Sequence, residues 1–174
     1  MTRQVDELRG HFVVCGYGRV GSTVAHELVH DGESFVVIDV NPESLGRARD
    51  DGYLVVEGDA TDDATLRAGG ITRAKGLVAT IDSDAQNVYV ILSARALNPG
   101  LFVVGRASTP SAEEKLARAG ADRVVSPYTM AGRRLASSPF GRALWTSSTP
   151  RSPMASSPSA SRSCMLGRGG GWTG

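Results

Sequence analysis

The sequence predicts an α/β protein built on an open, doubly wound parallel sheet of about six strands, followed by a disordered C-terminal tail. Three observations carry that expectation. Six short apolar runs recur at near-even intervals, the segments between them carry helical periodicity and helix-start signals, and the pattern stops near Ala136.

The runs are FVVC (12–15), FVVI (35–38), LVV (54–56), LVATI (77–81), LFVV (101–104) and VV (124–125). They are continuous rather than alternating, as in strands covered on both faces. Strand alternating with helix makes parallel pairing through right-handed crossovers the economical architecture. Residues 1–10 are polar and read as a linker. Over Arg19–Asp31, Val20, Val24 and Leu28 form one apolar ridge at i, i+4 and i+8, and Gly32 is a stop signal. Asn41 before Pro42 spells a cap and a first-turn proline. Ser83, with Gln86 three residues on, spells a capping box for a helix reaching Leu97. Thr109-Pro110 opens the last helix and Gly120 closes it.

Composition narrows the possibilities. A chain of 174 residues is one domain with some excess. All 18 acidic residues precede Ser137, together with 15 Lys and Arg, while residues 137–174 hold four Arg and no acid. The mildly acidic body lacks the basic surface that nucleic acid requires. Two cysteines, Cys15 and Cys164, make no disulfide framework, and Cys15 inside a strand reads as a small core residue. No apolar run approaches the ~20 residues that span a bilayer, and the polar start is no signal peptide, so the chain is expected to be cytoplasmic. In residues 137–174, Ser, Pro and Gly fill 20 of 38 positions and no periodicity survives, so this tail is not expected to fold alone.

Two motifs compete within one helix. GYGRVG (Gly16, Tyr17, Gly18, Arg19, Val20, Gly21) follows a strand directly and opens a helix, the context a dinucleotide loop requires. The first glycine allows the tight turn, the second lets backbone approach a pyrophosphate, and the third lets helix and strand pack closely. Phosphates would then rest on unpaired N–H groups at the helix start. Asp39 ends the second strand, where a carboxylate accepts hydrogen bonds from ribose hydroxyls and repels a 2′-phosphate. This argues against NADP but does not separate NAD from ADP or ATP. Arg19 is placed to reach a phosphate or a neighbouring subunit's ligand. Asp59 and Thr61, in GDATDD, end the third strand at the same edge, where they either bracket an adenine or cap the next helix.

HELVH (26–30) has the spacing of zinc peptidases, whose two histidines share one metal. If the ridge faces the sheet, however, His26 and His30 point to solvent. His11, the only other histidine, precedes the first strand. The zinc match reads as coincidence. Nor is other catalysis spelled out. There is no Tyr-x-x-x-Lys, no histidine at a predicted strand's carboxyl end, no G-x-S-x-G elbow and no second domain to close over a substrate. No catalytic residue is assigned, and sensing is expected over chemistry.

HFVVCGYGRVGSTVA, VVIDVNPE, VEGDATDDATLRAGGITRAKGLVATIDSDAQN, VVGRA and KLARAGADRVVSPYTMAGRRLA resemble, in order, the RCK domain, also called KTN or the TrkA N-terminal domain. The resemblance covers about residues 9–136 and places the domain at 11–136. It implies a Rossmann-like fold, NAD(H) or ADP/ATP as ligand, homodimers assembling into a gating ring, and a membrane-embedded potassium channel or transporter subunit as partner. The domain would then lie at the inner face of the membrane, and nucleotide state would bias ring shape and ion flux. By matching positions, Gly16, Gly18, Arg19 and Val20 would hold phosphates and Asp39 the ribose. Asp59 and Ala60 would flank the adenine, Ile81 and Asp82 would line the crevice, and Arg106 would reach the phosphate side. Calcium-gated relatives carry acidic side chains after strand five, where this chain has Gly105-Arg106-Ala107-Ser108, so no calcium site is expected. The helix over Asp84–Leu97, apolar nearly all round at Val88–Leu92, suits a buried or subunit-facing position.

The resemblance fails at both ends. TRQVDELRGH is similar to the linker after a last pore helix, yet no pore helix precedes it in this sequence. After Ala136 the family continues with an apolar helix crossing to the partner, whereas this chain turns into SSPFGRALWTSSTPRSP. A frameshift in a GC-rich gene accounts for the sudden loss of acids, and would weaken dimerisation through that helix. The alternative function is a fragment of an NAD-dependent oxidoreductase lacking its substrate domain, and a third is a non-functional remnant.

Overall fold

A computed structural model describes residues 2–127. The strands β1 (Phe12–Cys15), β2 (Phe35–Asp39), β3 (Leu54–Glu57), β4 (Gly76–Ala79), β5 (Phe102–Arg106) and β6 (Arg123–Val125) form one parallel sheet in the order β3-β2-β1-β4-β5-β6. Val13 of β1 stands beside Val36 of β2 and Leu77 of β4, so the central strands are in step. From β1 the chain winds outward to β3. It then crosses back to β4, beside β1, and winds outward the other way to β6. This reversal opens a crevice at the carboxyl ends of β1 and β4. The expected six-strand doubly wound sheet is therefore what forms. The end of the domain at 136, the tail at 137–174 and Cys164 lie outside the described residues.

The helices are α1 (Thr2–Glu7), α2 (Arg19–His30), α3 (Pro42–Asp50), α4 (Asp63–Ala68), α5 (Asp84–Leu97) and α6 (Pro110–Arg118), with a 3₁₀ turn at Ile71–Arg73. Strand residues alternate between two cores. Val14, Phe35, Val37 and Val55 meet Ala25 of α2 and Leu45 and Ala48 of α3. Val13, Cys15, Ile38, Leu77 and Val103 meet Leu66 of α4, Val90 and Ile91 of α5 and Leu116 of α6. Burial raises the Cys15 thiol well above its ordinary range, as expected of a core residue. Three helix starts are capped as the sequence spells them. Asn41 Oδ1 accepts from Glu43 N–H at 2.8 Å, Thr109 Oγ1 from Ala112 N–H at 3.2 Å, and Ser83 Oγ from Gln86 N–H at 3.4 Å.

Three elements differ from expectation. β4 stops at Ala79 instead of reaching Ile81, because Asn87 Oδ1 accepts the Ile81 N–H at 3.0 Å and draws it out of the ladder. The buried stripe of α2 runs through Gly21 and Ala25, flanked by Val24 and Leu28, and Val20 is only half-buried. The helix is rotated so that Gly21 can approach the glycine turn. His26 and His30 remain exposed, as the sequence argument required. In α5, Val90, Ile91 and Ala94 are buried while Tyr89 and Leu92 are 65% and 50% exposed, so of the two positions expected, buried or subunit-facing, the fully buried one does not form. No helix among the described residues is long and apolar enough to cross a membrane.

Within the polar stretch 1–10, α1 forms and buries Val5. Arg73 holds it in place, donating to the carbonyls of Val5 and Leu8 at 3.3 and 3.4 Å, near the negative end of the α1 dipole. Beneath lies His11, fully buried, with Nε2 at 3.0 Å from the Gly69 carbonyl and Nδ1 without a partner among the described residues. Nε2 therefore carries the proton. Burial, and the nearby Arg73 and Arg9 charges, lower the His11 pKa below its ordinary 6.5, against the opposing bond to Gly69. In the window below 6.5 the unfolded chain binds a proton that the folded one refuses. Stability is then full above that pH and declines as pH falls towards the folded-state value. Denaturation midpoints measured from pH 8 to pH 5 should show this decline. His11→Gln, which keeps a donor for Gly69 but does not titrate, should flatten it.

Candidate functional site

The crevice is built from the ends of four strands. After Cys15 the chain turns sharply at Gly16, whose φ of +94° is costly for any residue with a Cβ. A Cβ there would also lie 3.0 Å from the Ile81 nitrogen. A Cβ on Gly21 would sit 1.9 Å from the Gly16 carbonyl oxygen, so the third glycine is a packing requirement of the turn. Two neighbouring strands hold the turn. The Thr80 hydroxyl lies 3.0 and 2.8 Å from the carbonyls of Cys15 and Gly16 and shares its one proton between them. From the other side, Asp39 Oδ2 accepts the Tyr17 N–H at 2.6 Å, and Oδ1 accepts the Asn41 N–H at 2.8 Å. Each oxygen keeps acceptor capacity towards the crevice, the remaining chemistry a pair of ribose hydroxyls requires.

Gly16, Gly18, Asp39, Asp59, Ala60, Ile81 and Asp82 line one cavity of about 250 Å³. The sequence reading missed Ile38, Val40, Asn41, Ser44, Gly58, Thr80 and Gln86, which line it too. The apolar and hydroxyl positions carry no chemical signature. Only their place at strand ends marks them, and register decides it. Asp59 closes a turn by accepting the Thr61 N–H at 2.8 Å, while the N-cap position of α4 falls to Asp62.

The remaining expected residues are placed elsewhere. Tyr17 contributes only backbone. Its ring is 1% exposed, edge-on to Tyr53, and its hydroxyl donates to Asp51 at 2.8 Å, behind the turn. Gly21 supports the turn without lining the cavity. Thr61 faces a separate hollow with Ala85, Gln86 and Tyr89. Arg19, Val20 and Arg106 line a second cavity of about 220 Å³ with Pro127 and Asp82, and Asp82 lines both cavities. Arg106 is nearly buried, pairs with Asp82 through one guanidinium nitrogen, and leaves Nε without a partner among the described residues. Asn87, fully buried, fixes this region. Besides accepting from Ile81, it donates to the carbonyls of Ile81 and Arg106 at 2.9 and 3.0 Å. Among the described residues no three His, Cys, Asp or Glu side chains come together as a metal site would need.

Sheet order, glycine turn and strand-end carboxylate define a Rossmann-like domain. Residues 12–127 match the TrkA-N domain, and the chain belongs to that family. It is 41% identical over 138 residues to Potassium channel protein 1 of Methanocaldococcus jannaschii, covering 78% of this chain and 41% of the channel protein. It therefore spans well under half of that relative. The TrkA-N domain of the inner membrane protein YbaL from Escherichia coli superposes with a TM-score of 0.71 at 27% identity, covering 74% of this chain and 96% of that one. Two GsuK structures, one bound to ADP and one to NAD, each give a TM-score of 0.67 over 75% of this chain. Their identities are 29% and 30%, and 34% and 24% of their respective chains are covered.

Two substitutions test the site's construction. Gly21→Ala should cost at least about 3 kcal/mol by forcing the turn off α2, read as a shift of the urea midpoint. Asn87→Leu is nearly isosteric but strips partners from three backbone groups. It should cost about 3 kcal/mol in the same measurement.

Proposed function

We propose that this chain is a nucleotide-binding regulatory domain that gates a potassium channel or potassium uptake system and performs no catalysis of its own. The observation that carries the reading is the doubly held glycine turn facing Asp39 at the β1/β4 switch point. It combines the first N–H groups of α2, which have no intrahelical carbonyl to bond, with a fixed acceptor for ribose. The ligand is NAD(H) or ADP/ATP, supported by the ADP- and NAD-bound GsuK relatives. A 2′-phosphate would meet the Asp39 carboxylate, which disfavours NADP.

Relatives that are potassium channel proteins support a membrane-embedded partner at the cytoplasmic face. Regulation then follows from differential affinity, because a nucleotide that binds one arrangement of the assembled domains better shifts the equilibrium towards it. The exposed Tyr89 and Leu92 on α5 favour contact with a second copy. Phosphates would be held at the Gly18 backbone, with Arg19, Val20 and Arg106 alongside, while Gly16, whose N–H donates to the Ile38 carbonyl at 2.8 Å, provides the close approach. The base would lie between Asp59-Ala60 and Ile81.

Calorimetric titration of the 174-residue chain with NADH, NAD, ADP and ATP tests the reading. At least one should bind. Asp39→Asn should weaken that binding by about tenfold or more, since hydrogen bonds to a charged acceptor are lost. Absence of binding would remove the proposal, and substrate-dependent oxidation of NADH would replace it with an enzymatic one.

A further inference from the structure

We propose that Asp82 is a specificity residue, a competitor for Arg106 that selects against ligands whose phosphate chain extends beyond the first phosphates. The inference rests on the nucleotide reading above. The two cavities meet at Asp82, which among the described residues is the one that lines both. The first holds the glycine turn, and the second begins where that turn enters α2, with Arg19 and Val20. Asp82 therefore stands at the border that a ligand seated on the glycine turn crosses on extending into the second cavity.

There it meets two cations. Arg19 is exposed, and Arg106 is buried with its guanidinium already paired to Asp82. The Asp82 side chain is itself 86% exposed, so it covers a buried cation with a solvated carboxylate. A terminal phosphate entering the second cavity must displace that carboxylate from Arg106 or lie beside it, and either is unfavourable. A neutral riboside group reaching the same place carries no charge for Asp82 to oppose. Asp82 is therefore a gate on charge rather than on shape.

The test compares AMP, ATP and NADH by calorimetry on the full chain, wild type against Asp82→Asn and Asp82→Glu. AMP and ATP share the adenosine and first phosphate, so their ratio isolates the outer phosphates. Asp82→Asn should raise the AMP-to-ATP ratio of Kd by about tenfold, the effect of removing one unit charge near a polyphosphate at partly screened range. NADH, whose dihydronicotinamide riboside is neutral, should stay unchanged relative to AMP, and Asp82→Glu, which keeps the charge, should keep the wild-type ratio. An Asp82→Asn chain that binds all three ligands with unaltered ratios would overturn the inference while leaving nucleotide binding intact. A wild-type chain that binds none of them would overturn both.

Discussion

The turn between β1 and α2 is held by groups that belong to other strands, and the rest of the molecule depends on that arrangement. Asp39 at the end of β2 takes the Tyr17 N–H, and Thr80 at the end of β4 reaches the carbonyls of Cys15 and Gly16. Both contacts exist only when the three strands are in register, because one residue of slip would turn each side chain to the opposite face. The local loop and the global sheet are thus one cooperative object. Gly21 completes it from the helix side, since no larger residue fits against the Gly16 carbonyl. Tyr17 then fastens the loop from behind, where burial and its bond to Asp51 keep the phenol protonated.

The strands and helix starts were legible because their signals are local. Apolar runs, Asn41-Pro42 and Thr109-Pro110 depend on a few neighbouring residues, and the structure realises each of them. Gly16, Gly18 and Asp39 were legible at the crevice because strand, turn and spacing are encoded together. What the sequence hid is set by contacts across the fold. The early end of β4 depends on Asn87, six residues further on and pointing back into the sheet edge. The rotation of α2 depends on the close approach of two glycines, which helical periodicity of valines does not register. Tyr17 sits in the motif like its neighbours, yet its side chain turns to the α3 side, because a phenol with a carboxylate partner packs better there.

Asn87 and Asp84 show how one helix organises two strand ends. Asn87 bonds Ile81 on one side and Arg106 on the other, and Asp84 Oδ1 accepts the Ser108 N–H at 2.8 Å. The first turns of α5 thereby fix the spacing between the β4 and β5 ends. That spacing sets the distance between the two cavities. The opposite flank of α5 carries Tyr89 and Leu92 into solvent. Whatever packs there acts on the same rigid rod that positions Ile81 and Arg106, a short physical route between a surface and the crevice.

The fastening of α1 has a mechanical consequence. Arg73 binds α1 at the amino end of β1, and the Gly10 N–H donates to the Arg73 carbonyl at 2.9 Å, so pull on this helix passes into β1 along its axis. β1 is flanked by β2 and β4 in parallel ladders on both sides. Tension therefore loads two rows of hydrogen bonds in shear, all sharing the force, rather than peeling them one at a time. The glycine turn lies at the far end of that same strand. A tug on α1 is delivered to the turn as a displacement along a stiff, doubly braced rod.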